Sequence, residues 1–491
     1  MTNITILWLA LPFFMGFVIY LLPQLDRILA LGMTLVSTAY ALQIFFASSP
    51  LNIQLLDNFG VTLTIDQLSS FFIFTNALVT AAVIIYCWQT GKSTFFYMQT
   101  IILHGSVNAT FVSADFISLY VALEVISIAS FLLIAYTRSD RSIWVGLRYL
   151  FVSNVAMLFY LVGVILVYQA HHSFNYAGLR GSPPEAVALI FLGLLVKGGI
   201  FFSGLWLPLT HSESESPVSA MLSGVVVKAG VFPLVRCALM LEEIDPVVRF
   251  FGVTTAVLGV GYAVFEKDTK RMLAFHTISQ LGFVLAAPLV GGFYALTHGL
   301  VKSALFLIAG VLPSRNFKEL QHQPLDRSIW IALVIASFSI SGFPLLSGFG
   351  AKVLTSKNLL PWQVIGMNIA ALGTAISFAK FIFLPNQKSP PTPLNKGGEK
   401  KISSGFWWAM VILLGGLVGA NVFYYQAYTL ENTIKPLATI ALGWLAYLLI
   451  FKKSIIKIPR EIEKFDHLIG VMSLMLILLL WIVWTRSQFS I

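Results

Sequence analysis

The chain has 491 residues, a mean hydropathy of +0.85 and a formal net charge of +10. Apolar residues make up 57% of it and charged residues only 11%, whereas an ordinary soluble domain has about 25% charged residues. This composition excludes a soluble globular enzyme and predicts a large polytopic membrane protein. The positive charge is best explained by basic loops on one side of a membrane and not by nucleic-acid binding.

Apolar segments of spanning length follow one another along the whole chain. The first segment lacks the basic start and the small-residue cleavage site of a signal peptide, so we expect it to be retained. The segment 51–66 alternates apolar and polar residues and predicts a small external hairpin. A transmembrane helix needs about 20 apolar residues, and on that basis we predict about sixteen spans: 4–22, 28–47, 67–87, 95–113, 115–136, 144–168, 185–209, 217–240, 246–265, 272–290, 291–312, 327–347, 361–384, 405–425, 434–451 and 467–484.

Basic residues concentrate in alternate loops, and this sets the predicted orientation. Loops with clustered Lys and Arg face the cytoplasm, which leaves both termini outside. One of these loops, 386–404, is rich in Pro, Lys and Gly and predicts a flexible cytoplasmic linker. The sequence offers no nucleotide-binding domain, no Cys cluster and no metal-binding His pair, so we expect no cofactor and no bound metal.

Five ionisable residues stand inside otherwise apolar segments. An uncompensated charge at the bilayer centre costs about 2.5–3.5 kcal/mol. Such side chains therefore face a protein interior or a water-filled cavity, where they carry ions, protons or substrate. The five residues are Glu124, Lys197, Lys228, Lys302 and Lys352.

Glu124 and Lys197 form the first candidate pair. Glu124 lies among apolar and small residues, and we interpret it as a carboxylate that pairs with a lysine and tunes its protonation. The alternative is an ion pair that only fixes helix packing. Lys197 is followed by Gly198 and Gly199, which weaken the helix and predict a break that lines a cavity. A lysine held away from water is a usable proton carrier, and the alternative is a snorkelling side chain.

The remaining candidates continue this line along the chain. Lys228 lies centrally in its segment, with glycines on both sides that allow close helix approach. His298 and Lys302 are four residues apart and share one helix face, where an imidazole beside an amine can relay protons; each alone also fits a satisfied core residue. Lys352 ends the stretch GFPLLSGFGAK, whose glycines and proline predict a second broken helix.

Five other polar residues are weaker candidates. His276 is a further candidate for the relay. Lys380 lies nearer the cytoplasmic end of its span, where snorkelling competes with function. His211, Glu213 and Glu215 belong to the loop HSESESP, which either gates a mouth or is simply solvated.

Four stretches of the chain form an ordered set: WLPLTHSESESPVSAMLSGVVVKAGVFPLVR, DTKRMLAFHTISQLGF, HGLVKSALFLIAG and FPLLSGFGAK. Each is similar to a signature of the antiporter-like membrane subunits that Mrp-type multisubunit cation/proton antiporters share with type I NAD(P)H-quinone oxidoreductases. The resemblance covers about residues 119–380. It implies an all-α polytopic fold, with a fourteen-helix core of two inverted repeats that each contain a broken helix. The segments 434–451 and 467–484 are two extra C-terminal helices beyond that plan, and we consider a role for them in docking a partner.

The resemblance also implies a hydrophilic axis at mid-membrane depth. A lysine at the final position resembles the D-type subunit of Mrp antiporters, whereas some oxidoreductase subunits of the M or D type have glutamate there. The implied roles are Glu124 as the carboxylate partner, Lys197 as the central lysine, Lys228, His298 and Lys302 as connecting carriers, and Lys352 as the terminal exit residue.

Three departures from the family pattern affect the expected proton inlet and leave the axis unchanged. Gly204 stands where the family often has a histidine. Gly198 and Phe202 replace prolines near the central lysine, and the loop HSESESP is more acidic than usual. We expect four regions: N-terminal helices with the hairpin (1–113), the antiporter-like proton-translocating core (114–384), the cytoplasmic linker (385–404) and C-terminal helices (405–491).

The expected function is that of a proton-translocating subunit of a multisubunit cation/proton antiporter in a prokaryotic or internal energy-coupling membrane. The alternative is a proton-pumping membrane subunit of a type I NAD(P)H-quinone oxidoreductase, with the redox chemistry in other subunits. Whether the chain works inside such an enzyme complex stays open. A stand-alone transporter of a small solute ranks lower, because a line of lysines offers a solute little specific recognition. The expected partners are other membrane subunits, protons and Na⁺ or K⁺, with no nucleic acid.

Overall fold

A computed structural model describes residues 2–56, 59–387, 402–453, 456 and 458–489. Most of the predicted linker 385–404 lies outside these residues, and the division into four regions stays a prediction. The strands are β1 Leu51–Leu56, β2 Gly60–Ile65, β3 Leu325–Asp326 and β4 Asn386–Gln387. The helices are α1 Thr2–Leu21, α2 Asp26–Phe45, α3 Gln67–Cys87, α4 Thr94–Val112, α5 Phe116–Ile134, α6 Asp140–His171, α7 Pro184–Gly198, α8 Leu207–Glu213, α9 Ser216–Met221, α10 Val227–Met240, α11 Asp245–Phe265, α12 Thr269–Ala286, α13 Gly291–Ala309, α14 Phe317–Leu320, α15 Arg327–Ser341, α16 Ser347–Lys357, α17 Val364–Ile382, α18 Ser404–Phe423, α19 Leu430–Leu449 and α20 Phe465–Phe489.

The prediction of an all-α, multi-pass membrane protein is confirmed, with fewer fully apolar spans than expected. In the part of the chain that the structure describes, 13 helices are long and apolar enough to cross a membrane. The predicted spans 95–113 and 272–290 correspond to α4 and α12, which carry several buried polar side chains. The predicted span 327–347 corresponds to α15, which ends at Ser341, and to the break before α16, which begins at Ser347. α12 is buried along its whole length, so it faces protein and not lipid, whereas α15 exposes the apolar side chains of Ile331 and Ile335.

Two spans are interrupted at a glycine in the left-handed conformation. α7 ends before Gly199, which has a φ of +66° and is followed by a 3₁₀ turn and then α8. α15 ends before Gly342, which has a φ of +86° and precedes α16. Glycine adopts this conformation without the steric cost that other residues carry. Both predicted helix breaks are therefore present, and their membership of inverted repeats stays a prediction.

The predicted hairpin is also present. β1 and β2 pair antiparallel, with Leu51 opposite Ile65. The carboxylate of Asp115 caps α5 by accepting a hydrogen bond from the Ser118 amide at 2.7 Å, and it accepts a second from the Thr62 amide of β2 at 2.7 Å. One buried side chain thus fixes the hairpin to the start of α5, and such a cap typically stabilises a helix by about 1 kcal/mol.

The centre of the molecule consists of helices that are buried along their length. Every residue of α12 and α13 is buried, and so is α10 from its first residue to Ala238. In contrast, α1, α19 and α20 expose large apolar side chains, as helices in contact with lipid do. Because α10 carries Lys228 and α13 carries His298 and Lys302, these side chains face protein.

The two C-terminal helices pack on the chain itself. α19 packs against α17, and α20 packs against α7 and the turn that follows it. Just before α20, the Glu463 carboxylate accepts a hydrogen bond from Arg271 Nη2 at 2.5 Å, and the Glu463 carbonyl accepts one from Arg148. These contacts tie the C-terminal segment to α12 and α6, while docking of a partner stays a prediction.

Candidate functional site

The first helix break, between α7 and α8, contains a close backbone contact that requires a glycine. A Cβ atom at Gly204 would lie 2.2 Å from the carbonyl oxygen of Gly199, so no larger residue fits there without movement. The Val196 carbonyl, in the last turn of α7, accepts hydrogen bonds from the Gly199 amide at 3.1 Å and from Trp206 Nε1 at 2.9 Å. These two hydrogen bonds satisfy the Val196 carbonyl within the protein, and Lys197 lies in the last turn of α7.

Lys197 reaches from α7 to α5. Its ammonium donates to the Leu123 carbonyl at 3.0 Å and to the Ser127 hydroxyl, and only 6% of the residue is exposed. Both acceptors flank Glu124 on α5. The predicted ion pair between Glu124 and Lys197 is not among the contacts of these two residues; Glu124 Oε1 is buried without a hydrogen-bond partner. The two groups interact electrostatically at longer range, so the carboxylate acts as a neighbour and not as a ligand of the ammonium.

Lys228 follows a π-helical turn, Leu222–Val226, at the start of α10. Its ammonium donates to the Gly224 carbonyl at 2.6 Å and to the Ser223 carbonyl at 3.2 Å. A π-helical turn displaces carbonyls from the regular ladder and often occurs at functional sites. Gly299 on α13 packs against the same turn, because a Cβ atom there would lie only 2.9 Å from the Gly224 carbonyl oxygen that accepts from Lys228. Lys228 is thus fully buried without a carboxylate ligand.

His298 and Lys302 lie one turn apart on the continuous helix α13, as predicted. Lys302 Nζ donates to the Leu273 carbonyl of α12 and lies 5.4 Å from the ring centroid of Phe306. Both ring nitrogens of His298 are buried without a hydrogen-bond partner. The His298 ring interacts electrostatically with Lys228 and Lys302, so α13 connects these two lysines.

Lys352 folds back onto the second helix break. Its ammonium donates to the carbonyl of Ser341, the last residue of α15, at 3.2 Å. A Cβ atom at Gly342 would lie 2.8 Å from Lys352 Cδ, so the glycine makes room for the lysine stem. Lys352 Nζ also lies 5.5 Å from the ring centroid of Phe283 on α12. The second break therefore positions an amine, as the first does.

Hydroxyl groups are concentrated around this second break. The side-chain oxygens of five residues on α15 and α16 are buried without a protein partner: Ser337, Ser339, Ser341, Ser347 and Thr355. Buried polar groups of this kind are those to which internal water bonds. The surroundings of Lys352 are thus more polar than those of an ordinary transmembrane helix pair.

His276, a secondary candidate in the sequence, lies on α12, the helix that also carries the Leu273 carbonyl bonded by Lys302 and the Phe283 ring near Lys352. It is fully buried on α12, both of its ring nitrogens lack a hydrogen-bond partner, and its ring lies 4.7 Å from that of Phe378. It interacts electrostatically with Lys302, Lys352 and Lys380. Sequence reasoning undervalued it because no break or paired lysine marks it locally.

His211 is buried, so its interpretation as a solvated loop residue is wrong. It lies on α8, its ring stacks on Phe306 at a centroid distance of 4.6 Å, and it interacts electrostatically with Lys302 and Lys270. The helix extends through the first part of HSESESP, and this directs the imidazole inward. Only the helical register, which the sequence does not reveal, distinguishes the two placements.

The acidic residues beside His211 form ion pairs. Glu215 pairs with Lys92 at 2.5 Å and Glu213 with Arg141 at 3.7 Å.

Lys380 has a helix-capping position: its ammonium donates to the Ala263 carbonyl at 3.1 Å and to the Glu266 carbonyl at 2.8 Å, at the end of α11. A cation at this place complements the negative end of the helix dipole.

The arrangement consists of buried amines and imidazoles that are held without carboxylate ligands. Within the described residues, no group of three or more His, Cys, Asp or Glu side chains could hold a metal ion. The four lysines bond to main-chain carbonyls and to one hydroxyl, and the imidazoles between them are free of partners. Amines and imidazoles held in this way can gain or lose a proton without breaking a buried ion pair.

Comparison with protein families gives one match over more than half of the chain. The family is described as the transmembrane domain of NADH:quinone oxidoreductase and Mrp antiporter subunits, and it matches residues 113–377. This range contains every candidate residue named above except Lys380.

Individual relatives point to the same two classes of complex. The chain is 26% identical to the D-type subunit of a Na⁺/H⁺ antiporter of Alkalihalophilus pseudofirmus, over 89% of this chain and 98% of the relative. It is 29% identical to the N-type subunit of an NADH-quinone oxidoreductase of Desulforudis audaxviator, over 68% of this chain and 74% of the relative.

Two solved structures share the fold. A chain of the Mrp complex from Dietzia sp. DQ12-45-1b aligns with a TM-score of 0.70 at 20% identity, over 96% of this chain and 100% of that one. A chain of the membrane-bound sulfane sulfur reductase, an archaeal respiratory membrane complex, aligns with a TM-score of 0.74 at 21% identity, over 90% and 99%.

Proposed function

Because the chain belongs to the NADH:quinone oxidoreductase/Mrp antiporter transmembrane family, we propose that it is a proton-translocating subunit of a multisubunit cation/proton antiporter. The D-type relative from a Na⁺/H⁺ antiporter matches nearly end to end, which favours this complex over the alternative, a proton-pumping subunit of a type I NAD(P)H-quinone oxidoreductase. The chain is a multi-pass membrane protein, and its partners are other membrane subunits of the same complex.

The observation that carries the proposal is the set of buried amines without carboxylate ligands. Lys197, Lys228 and Lys302 donate to carbonyls of the protein interior or to a serine hydroxyl. In a low-dielectric interior, two nearby charges influence each other far more strongly than in water. Protonation of one amine therefore changes the proton affinity of the next, which is the requirement for stepwise transfer.

The proposed path begins at Glu124 and Lys197 and ends at Lys352. Loss of the Glu124–Lys197 interaction would release a proton towards Lys228, from which His298 and Lys302 carry it onward along α13. His276, between Lys302 and Lys352 electrostatically, is a further proposed carrier. The unpartnered hydroxyls around the second break would support a hydrated exit near Lys352.

Reconstitution tests this function. The complex that copurifies with the chain is inserted into vesicles that hold a pH-sensitive dye, and Na⁺ or K⁺ is added on one side. We expect a cation-dependent change of internal pH, together with small hydrophobic subunits in the purified complex. Copurifying flavin or iron–sulfur subunits, with pH changes that need NAD(P)H, would instead support the oxidoreductase alternative.

A further inference from the structure

A cleft of about 230 Å³ opens where three spanning helices end. Its walls come from the ends of α11, α17 and α19 and from the short helix α14. Four lysines line it: Lys267, Lys318, Lys380 and Lys452. These helix ends belong to the loops predicted to face the cytoplasm, and the cleft lies outside the proposed path from Glu124 to Lys352.

The lysines of the cleft give it an excess of positive charge. Lys267, Lys318 and Lys452 form no ion pair with any residue that the structure describes. Lys380 donates only to main-chain carbonyls. His322 adds a further exposed basic side chain at the rim.

The one carboxylate in the described lining of the cleft is already neutralised. Glu266 Oε2 lies 3.1 Å from Arg271 Nε, and Glu266 Oε1 lies 3.3 Å from Arg460 Nη2. Burial alone would raise the pKa of the Glu266 carboxyl, but Arg271 and two backbone amides hold it below its usual range. The carboxylate therefore stays ionised and bound to arginines; it also interacts electrostatically with Lys380, and among the described residues it forms no ion pair with Lys267, Lys318 or Lys452.

The rest of the lining is apolar and aromatic. Phe265 and Phe451 form one wall, with ring centroids 5.6 Å apart. Phe317 of α14 and Tyr447 of α19 also line the cleft. A free inorganic anion would bind the lysines and make no use of the aromatic side chains of the cleft.

We propose that this cleft binds the phosphate group of an anionic glycerophospholipid. The phosphate lies among Lys267, Lys318 and Lys452, and the acyl chains leave along Phe265 and Phe451. Basic pockets between transmembrane helices on the cytoplasmic side are the kind of site that takes anionic lipid head groups. The inference rests on the cleft alone and holds or fails independently of the proton-transfer function.

Lipid titration of the purified complex tests the site. Fluorescent phosphatidylglycerol and fluorescent phosphatidylcholine are each titrated onto the detergent-solubilised complex, with the wild type and the variant K318Q/K452Q. A basic side chain near a membrane surface contributes on the order of 1 kcal/mol of attraction, so we expect the double variant to bind phosphatidylglycerol roughly 30-fold more weakly. Binding of phosphatidylcholine should not change.

Two further variants separate charge from folding. K318R/K452R retains the charge and should bind phosphatidylglycerol as the wild type does. K357Q/K435Q removes two lysines that are exposed away from the cleft and should also behave as the wild type. Equal binding of the two lipids by the wild type, or unchanged binding by K318Q/K452Q, would overturn the proposal. Displacement of phosphatidylglycerol by millimolar inorganic phosphate would assign the cleft to the free anion and overturn the lipid as its occupant.

Discussion

Gly198 and Gly230 are in direct backbone contact between α7 and α10. A Cβ atom at Gly230 would lie 2.3 Å from the amide nitrogen of Gly198 and 2.7 Å from its Cα atom. Gly198 follows Lys197 directly, and Gly230 lies two residues after Lys228. Small residues allow helices in a membrane to approach closely, and here the closest approach brings together the two helices that carry the first two lysines.

This contact predicts the effect of Gly230→Ala. The added methyl group meets backbone atoms that cannot rotate away, so α7 and α10 must separate. Overpacking of this kind typically lowers the free energy of unfolding by about 1–3 kcal/mol. We therefore expect a lower melting temperature of the complex and a loss of proton flux.

Gly261→Ala is the matched control, since Gly261 lies on a spanning helix with no atom near its Cβ position. The control should be neutral or should stabilise α11 by about 0.5–1 kcal/mol. Normal melting and flux in Gly230→Ala would show that the contact does not position the lysines.

Replacement of Lys197 by alanine should abolish transport. The substitution removes the amine that bonds to Leu123 and Ser127, and loss of a positioned proton carrier typically costs about 100-fold or more in rate. Flux is measured as cation-dependent dye quenching in vesicles, and assembly by the subunit content of the purified complex. Lys435→Ala, at an exposed position of α19, is the control. Wild-type flux with normal assembly would remove Lys197 from the mechanism.

Glu124→Gln tests whether the carboxylate acts through its charge. Glutamine keeps the shape and removes the negative charge that stabilises the Lys197 ammonium. A change of about 1.4 kcal/mol in that interaction corresponds to about a tenfold change in protonation equilibrium, and we expect flux to fall by a similar factor and its pH optimum to shift. Glu124→Asp should retain part of the activity. If Gln and Glu give the same flux and pH profile, Glu124 is a packing residue.

His276→Asn should interrupt transfer between Lys302 and Lys352. Asparagine remains polar but cannot carry a proton, and the buried ring has no hydrogen bond whose loss would account for a structural defect. We expect about a 100-fold loss of flux, the lower end of the usual contribution of a positioned acid–base group. His171→Asn, at an exposed position, should leave flux unchanged. If His276→Asn retains full flux, protons pass from Lys302 to Lys352 without this ring.

An ion pair at the start of α3 predicts a stability change at low pH. Burial alone would raise the pKa of the Asp66 carboxyl, but hydrogen bonds and charge from Arg236, together with the Ser69 amide, hold it below its usual range. A carboxyl with a depressed pKa in the folded state contributes stability that is complete above its unfolded pKa of about 3.9 and is lost as pH falls below it.

Melting curves of the wild type and Asp66→Asn measure this contribution. The variant should melt lower at neutral pH, because Arg236 is left without its carboxylate. The difference should shrink as pH falls below about 4. Equal melting at neutral pH, or a difference that grows on acidification, contradicts the assignment.

Local sequence was sufficient for the helical, multi-pass fold class and for the two helix breaks. An apolar run of about 20 residues becomes a spanning helix wherever it is placed in a bilayer, and glycine at 199 and 342 breaks the helix because the left-handed conformation needs it. An ionisable side chain such as that of Lys228 inside an apolar run must face the protein interior, because exposure of its charge to lipid is energetically costly.

The partners of those charges depend on the tertiary structure. The crossing of α5 and α7 determines which acceptors Lys197 reaches. Lys197 bonds to Leu123 and Ser127, while Glu124 remains a neighbour. The inward orientation of His211 and the burial of His276 against Phe378 likewise depend on helix register and packing. Composition and local conformation thus determined which ionisable side chains lie inside the protein, and only contacts between distant helices decided which groups they bond to, because hydrogen bonds a few ångströms long form across interfaces that no single segment encodes.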